Sequence, residues 1–167
     1  FTGARVSEIF HAEWGDFDLD EGDWKIRIKP DCPTAEGLGW QPKWGKPREV
    51  HLFEEALEVL QRRFRSRPPE TEGHVLIRED GGLVVSKEVH PSQFVFYRTY
   101  KRVRDTASPV FKRVDNLKKA FSKLTGIAGV EGVMLKDLRT YFNHLLVSRY
   151  GFSNKEASTL IGNSPEV

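Results

Sequence analysis

Leu135-Lys136-Asp137-Leu138-Arg139-Thr140-Tyr141-Phe142-Asn143-His144-Leu145-Leu146 is the stretch on which the reading of this chain turns. At helical period, Leu135, Leu138, Phe142, Leu145 and Leu146 form one apolar stripe, so the spacing predicts a helix. Lys136, Arg139 and Asn143 fall on another face. Two cations stacked on one face repel each other unless an anion sits between them. A planar guanidinium can hold two oxygens of one phosphate while a lysine adds a point charge beside it. The stretch reads either as a solvated basic face or as part of a phosphate clamp, and the rest of the chain has to decide.

Downstream, Tyr150-Gly151 is a helix stop. Ser153-Asn154-Lys155-Glu156 has the spacing of a capping box and opens a helix that buries Ala157, Leu160 and Ile161 and ends at Gly162. Asn163-Ser164-Pro165 reads as the start of another helix. Immediately upstream, Val114, Leu117, Phe121 and Leu124 predict a helix closed by Gly126. Before it, Ser86 or Ser92 opens a predicted helix running through Phe94-Val95-Phe96-Tyr97 toward Pro109, with Val75-Leu76-Ile77 as a short buried strand and Glu79-Asp80-Gly81-Gly82 as a turn.

The first third of the chain is different in kind. Thr2 is a plausible cap for a short helix burying Val6, Ile9 and Phe10, with Arg5 and Glu8 spaced for a weak surface ion pair of about 0.2–0.5 kcal/mol. Residues 15–23 are acidic and turn-rich. Trp24-Lys25-Ile26-Arg27-Ile28-Lys29 alternates strictly, as a strand with one wet face does, and Arg48-Glu49-Val50-His51-Leu52 alternates likewise. Between them lies a turn-rich loop, with Lys43, Lys46 and Arg48 expected at the tip or start of a ribbon. Glu54 to Arg65 is amphipathic, acids first and arginines last, which suits the helix dipole, and Pro68-Pro69 ends it. The fold class expected is α+β: mainly α with a small antiparallel sheet near the N-terminus.

The 167 residues suffice for one domain with a core. With 38% hydrophobic and 30% charged residues, the composition is that of a soluble globular protein. No apolar run is long enough to span a membrane. A single cysteine, Cys32, excludes an internal disulfide framework and fits a reducing compartment. One cysteine and five scattered histidines give no metal-ligand pattern. The net charge of +2 is uninformative, but its distribution is not. Residues 1–24 carry Arg5 against seven acids, whereas residues 97–123 carry nine cations against Asp105 and Asp115. Such a block reads either as a solvated helix face or as one polyanion-facing surface, in which case Lys112, Arg113, Lys118 and Lys119 are candidate DNA contacts beside Lys46 and Arg48.

Four segments, in order, resemble the motifs of the tyrosine recombinases, the phage-integrase family. Thr2-Gly3-Ala4-Arg5-Val6-Ser7-Glu8-Ile9 followed by Trp14-Gly15-Asp16-Phe17-Asp18 resembles the first arginine box. Lys43-Trp44-Gly45-Lys46-Pro47-Arg48-Glu49-Val50-His51-Leu52 resembles the lysine-bearing hairpin. Lys136-Asp137-Leu138-Arg139 resembles the second box, normally His-x-x-Arg, and Leu160-Ile161-Gly162-Asn163-Ser164 resembles the Leu-Gly-His segment. The resemblance implies a recombinase catalytic-domain fold over residues 1–167 as a single domain. The family's N-terminal DNA-binding domain and its tyrosine-bearing C-terminal segment would lie outside the chain.

It also implies a chemistry. A tyrosine attacks a DNA phosphodiester and forms a 3′-phosphotyrosyl link. Arg5 and Arg139 would hold the non-bridging oxygens, Lys43 would be the general acid, and Glu8 would support Arg5. Lys136 stands where the family usually has a histidine base; as an ammonium it cannot accept a proton, so phosphate binding is its expected role. Asn163 stands at the family's His/Trp position and can hydrogen-bond but not titrate. The nucleophile is expected beyond Val167, with Tyr141 and Tyr150 read as packing residues. No metal or nucleotide cofactor is implied. The implied partner is double-stranded DNA, bound as a homo-oligomer, a tetramer, and the implied location is the cytoplasm at a bacterial nucleoid. Two other readings compete: a DNA-binding protein that kept the fold but lost strand transfer, and a type IB topoisomerase-like enzyme.

Overall fold

Trp24 and Ile26 are only 3% and 2% exposed, and the strand that carries them, β2 (Asp23–Ile26), is held between β1 (Phe17–Asp18) and β5 (Arg48–His51) in an antiparallel sheet. The register pairs Trp24 with Phe17 and Val50, so one face of all three strands turns inward. Against that face packs the amphipathic helix α2 (Glu54–Arg65), and its Leu60 joins Trp14, Trp24, Ile26, Val50, Leu52 and Val95 in the larger core. The preceding helix, α1 (Val6–Phe10), follows Arg5 directly. A computed structural model describes residues 2–34, 37–68, 74–79, 82–86, 93–100 and 109–162.

The alternation from Trp24 to Lys29 does not continue as one strand. β2 stops at Ile26, and after a break at Arg27 and Ile28 a separate two-stranded ribbon begins, β3 (Lys29–Thr34) with β4 (Gly37–Trp40). The break reverses the parity of the side chains. Ile28, expected inside, is 48% exposed; Lys29, expected in water, is 7% exposed. Burying an ammonium is tolerable only with full pairing. Lys29 has it: Nζ donates to the Asp16 carboxylate and to the His11 carbonyl at 2.6 Å, with Glu13 at 3.4 Å. Asp16 also accepts from Arg27 Nε at 2.8 Å.

A second sheet departs further from the sequence reading. β6 (His74–Glu79), β7 (Gly82–Ser86), β8 (Tyr97–Tyr100) and β9 (Val110–Arg113) form four strands in the order β7-β6-β9-β8, with β6 and β9 parallel. The helix expected through Phe94–Tyr97 is not formed. Phe94 forms an isolated bridge with Glu13 and Val95 lies in a bend; both are essentially fully buried, with Val95 N–H donating to the Ala12 carbonyl, and the chain enters β8 at Tyr97. Aromatic and β-branched residues fit a pleated surface better than a helix, and β9 supplies the partner, pairing Phe111 with Thr99. Ser86 lies in β7; Ser92 lies outside the described residues.

The C-terminal part is helical: α3 (Lys118–Ile127), α4 (Asp137–Ser148) and α5 (Asn154–Leu160), with α4 and α5 as expected. α3 begins after Val114 and Leu117, runs past Gly126 and leaves Leu124 64% exposed, so its expected apolar stripe is not buried. Ser153 caps α5, its Oγ accepting from the Glu156 amide while Glu156 accepts from the Ser153 amide at 2.8 Å. α4 and α5 enclose a smaller core of Phe142, Leu146, Ala157 and Ile161, to which Phe53 and Tyr150 add their rings. Of the α4 stripe, Phe142 and Leu146 are buried and Leu138 is half exposed. Tyr150 packs as read; Tyr141 does not, being 59% exposed. Among the described residues no helix is long and apolar enough to cross a membrane, and no cluster of metal-ligand side chains occurs.

Between the first sheet and the ribbon, His11 stacks on Trp40 with ring centroids 4.8 Å apart. Burial first, then the charges of Arg113 and Lys29, push its pKa down to about 4, against the pull of the Ser7 carbonyl. In the unfolded chain the imidazole protonates near 6.5. Between those values the unfolded state binds the extra proton, so the stability due to His11 is complete above about pH 6.5 and is lost as pH falls through 4. We expect the His11 ring protons to titrate near pH 4 by NMR, and His11→Phe to flatten the fall in urea midpoint across that window.

Candidate active site

Glu8 is 1% exposed, although it sits in the first turn of a five-residue helix. A buried carboxylate needs partners on both oxygens. It has them from two directions. The Arg5 backbone N–H donates to Oε2 at 2.6 Å and the Arg5 guanidinium to Oε1 at 3.2 Å. Arg48, forty positions on, donates Nη1 to Oε1 and Nη2 to Oε2, both at 2.6 Å. This is the parallel two-bond geometry that makes an arginine–carboxylate pair strong and directional. Burial alone raises the Glu8 pKa and is the largest single influence. The Arg48 hydrogen bonds, the Arg5 amide, the Arg48 charge and the Arg5 guanidinium together overcome it and hold Glu8 below the ordinary carboxylate range.

Arg139 joins the cluster from α4. Its Nη1 donates to the Gly3 carbonyl at 2.5 Å. Burial, then repulsion from Arg5, then from Arg48, lower its pKa to about 10, with Glu8 pulling the other way. It stays charged at neutral pH, in a site where positive charge is already crowded. An anion entering beside Arg5 and Arg139 would relieve that crowding, which is the electrostatic character of an oxyanion or phosphate site.

Two glycines close the cluster. Gly3 has φ +59°, and a Cβ there would collide with Ile161 and come within 2.9 Å of Phe142 Cδ1. Gly162 has φ +71°, and a Cβ there would lie 2.5 Å from Arg48 Nε. The carbonyl of Gly162 accepts from Arg5 Nη2 at 3.4 Å. Arg139 and Arg5 thus each reach a glycine carbonyl from the opposite end of the chain, and both glycines combine a positive φ with neighbours that exclude a Cβ: Ile161 and Phe142 at Gly3, Arg48 at Gly162.

No protein-family model matches the chain, and no curated protein matches its sequence. Solved structures do match. The Tn1549 transposon integrase in complex with transposon right end DNA superposes with a TM-score of 0.61 at 18% identity over 96% of this chain and 47% of its own. The same integrase with circular intermediate DNA gives 0.60 at 18% identity, covering 98% and 48%. XerA recombinase gives 0.58 at 19% identity, covering 98% and 46%. The chain shares its fold with a DNA-bound integrase and a recombinase. It spans about half the length of those chains.

Within this integrase-like fold the sequence-expected residues fall into three groups. Arg5, Glu8 and Arg139 come together. Lys43 and Lys136 are both exposed, Lys43 in a 3-10 turn (Lys43–Gly45) before β5 and Lys136 at the N-terminal boundary of α4. Asn163 lies outside the described residues. Spacing alone makes Glu8 half of a weak surface pair, and the resemblance makes it a support for Arg5; the structure buries it between two arginines, accepting from Arg5.

The DNA contacts expected from the sequence also divide. Lys46, Lys118 and Lys119 are exposed. Lys112 pairs with Asp115 at 2.9 Å on the surface. Arg113 turns inward, donating to Cys32 Sγ at 2.7 Å. Arg48 is the main correction: its guanidinium is engaged with Glu8, and its side chain is 17% exposed. The signal was present in the sequence. Strict alternation puts Arg48 on the face of Val50 and Leu52, which are 3% and 2% exposed.

Removing one partner of a buried ion pair leaves the other uncompensated, at a cost of about 3–5 kcal/mol. We expect Glu8→Gln to lower the melting temperature by about 6–20 °C, since 1 kcal/mol shifts a domain of this size by roughly 2–4 °C. Because the Glu8 pKa is depressed in the folded state, its contribution is full above the unfolded carboxylate value and is lost as pH falls through the folded one. The difference between wild type and Glu8→Gln should therefore shrink below about pH 4. Calorimetry at neutral and acid pH measures both.

Proposed function

We propose that this chain is the catalytic core of a site-specific DNA recombinase of the tyrosine-recombinase kind, an integrase, cutting and rejoining DNA through a 3′-phosphotyrosyl intermediate. The observation that carries the reading is the convergence of Arg5 and Arg139 on buried Glu8. The likeness of the fold to an integrase solved in complex with transposon DNA supports it.

In this reading the scissile phosphate enters beside Arg5 and Arg139. Their guanidiniums bind the non-bridging oxygens and stabilise the charge that spreads over them as the tyrosine attacks. Glu8 and Arg48 fix Arg5 by holding its first turn and its guanidinium. They are positioning residues. Asn163, next to the Gly162 carbonyl that Arg5 reaches, would donate to a phosphate oxygen.

The two lysines divide the remaining work. Lys43 lies on an exposed turn bracketed by Pro42 and Pro47, from which it can reach the leaving 5′ oxygen and protonate it. Lys136 lies one helical turn before Arg139 and adds a fixed charge. The nucleophile in this reading is a tyrosine following Val167. Lysine at position 136 in place of histidine favours a second reading, a DNA-binding protein of this fold without strand transfer, which the same experiments distinguish.

The lysine roles are tested by single-turnover cleavage in a chain extended to include that tyrosine, using a suicide duplex with either a normal or a 5′-thiolate leaving group. We expect Lys43→Ala to stall the normal substrate and to be rescued by the thiolate, which needs no general acid. Lys136→Ala should slow both, and Arg5→Ala and Arg139→Ala should each cost about 10²–10³ in rate on both. Equal rescue of both lysine variants would overturn the division of labour, and no cleavage of either substrate by the unaltered chain would favour the binding protein.

DNA affinity provides an independent check. Affinity for duplex should fall with salt, with a log–log slope near −0.9 for each phosphate contact. Charge reversal at Lys118 and Lys119 should flatten that slope by about two contacts while leaving sequence preference unchanged. Salt-insensitive binding would remove α3 from the interface.

A further inference from the structure

The chain has four tryptophans, and three are accounted for by packing. Trp14 and Trp24 are in the core, and Trp40 stacks on His11. Trp44 is 79% exposed. It is also, among the described residues, the one non-glycine residue with positive φ, at φ 68° and ψ 14°. An indole in water loses the burial that usually justifies its size, and a side chain in the left-handed region is strained. Both costs fall on one residue, which argues that its position serves a ligand rather than the fold.

The surroundings indicate which ligand. Lys43 Nζ stands 5.2 Å from the centroid of the Trp44 ring, and Lys46 is exposed two positions beyond. The turn is firmly based: Pro42 is fully buried, Gly45 N–H donates to the Pro42 carbonyl at 2.8 Å, and Arg48, four residues on, is engaged with Glu8. An aromatic between two exposed lysines, four residues before the Arg48 of the arginine cluster, has the composition of a nucleic-acid contact in which cations follow the backbone and a flat ring meets a base.

Resting on the DNA reading above, we propose that Trp44 is a base-stacking residue of the interface. It lies against a nucleobase exposed at a kinked or unpaired step near the phosphate held by Arg5 and Arg139. In the free protein the same ring holds Lys43 by a cation–π contact. When a base covers the ring, the ammonium is released toward the backbone. Trp44 is therefore a positioning residue for Lys43 as well as a DNA contact.

Because the other three indoles are buried or stacked, acrylamide quenching of tryptophan emission reports mainly on Trp44. The experiment titrates the unaltered chain, Trp44→Phe and Trp44→Ala with a fully paired duplex and with the same duplex carrying one unpaired base, following protein emission and, separately, anisotropy of labelled DNA. Stacking predicts that DNA shields a component of the emission that both variants lack. It also predicts that the unpaired-base duplex binds more tightly. Trp44→Ala should lose about 5- to 100-fold on that duplex and less on the paired one, and Trp44→Phe should retain most of the affinity. The salt slope should be unchanged, because no charge is removed.

Binding by anisotropy with no change in acrylamide access would overturn the proposal and leave the DNA reading intact. Shielding that depends on protein concentration without DNA would assign Trp44 to self-association and overturn it equally. Loss of circular dichroism in Trp44→Ala with no loss of affinity in Trp44→Phe on either duplex, together with no shielding, would make the residue structural. Absence of binding to any duplex would defeat the DNA reading and this proposal together.

Discussion

Glu8 is the group on which the geometry of the site depends. One buried carboxylate joins the first turn of α1, through Arg5, to the start of β5, through Arg48. Without that charge, the guanidiniums of Arg5 and Arg48 would face each other with Arg139 close by, and their repulsion would open the seam between the N-terminal sheet and the C-terminal helices. With it, charge is balanced enough to fold and still crowded enough that Arg139 falls to about 10. An anion beside Arg5 and Arg139 would lower that repulsion, as the proposed function requires.

The helical pair α4–α5 gives the cluster its second wall. Phe142, Leu146, Ala157 and Ile161 bury the inner faces of both helices, which sets Arg139 facing inward and brings Gly162 under Arg48. Gly3 fits against Phe142 and Ile161 from the other side. The hydrophobic packing and the polar cluster are thus one construction: the contact that seats Gly3 on the small core also presents its carbonyl to Arg139. A methyl group at Gly3 would press on the packing of Ile161 and Phe142, and one at Gly162 on the Arg48 guanidinium.

Much of this was legible in the chain. α2, α4 and α5 follow from helical periodicity and from caps with a physical mechanism, and β2 and β5 follow from alternation. Arg5 and Arg139 were legible as candidates because their motifs occur in order. Of the second sheet the strand at Val75–Ile77 was legible and lies in β6, but the sheet itself was not, because β8 and β9 are short and β9 pairs in parallel with a strand far away in sequence, a contact that no local pattern reveals. Lys29 was misplaced because a two-residue break inverts strand parity without any glycine or proline to mark it. At Arg48 the phase in the strand outweighs the charge: alternation with Val50 and Leu52 points it inward, where Glu8 engages it.

The central claim is that Arg5 and Arg139 form one anion site held by Glu8 and Arg48. The most direct measurement is NMR of the arginine Nε–Hε resonances during titration with a duplex DNA. The account predicts that Arg5 and Arg139 shift together with a single binding constant, that Arg48 moves little because Glu8 retains its guanidinium, and that Glu8→Gln uncouples Arg5 from Arg139. DNA binding that perturbs the α3 lysines while leaving Arg5 and Arg139 unmoved would contradict it.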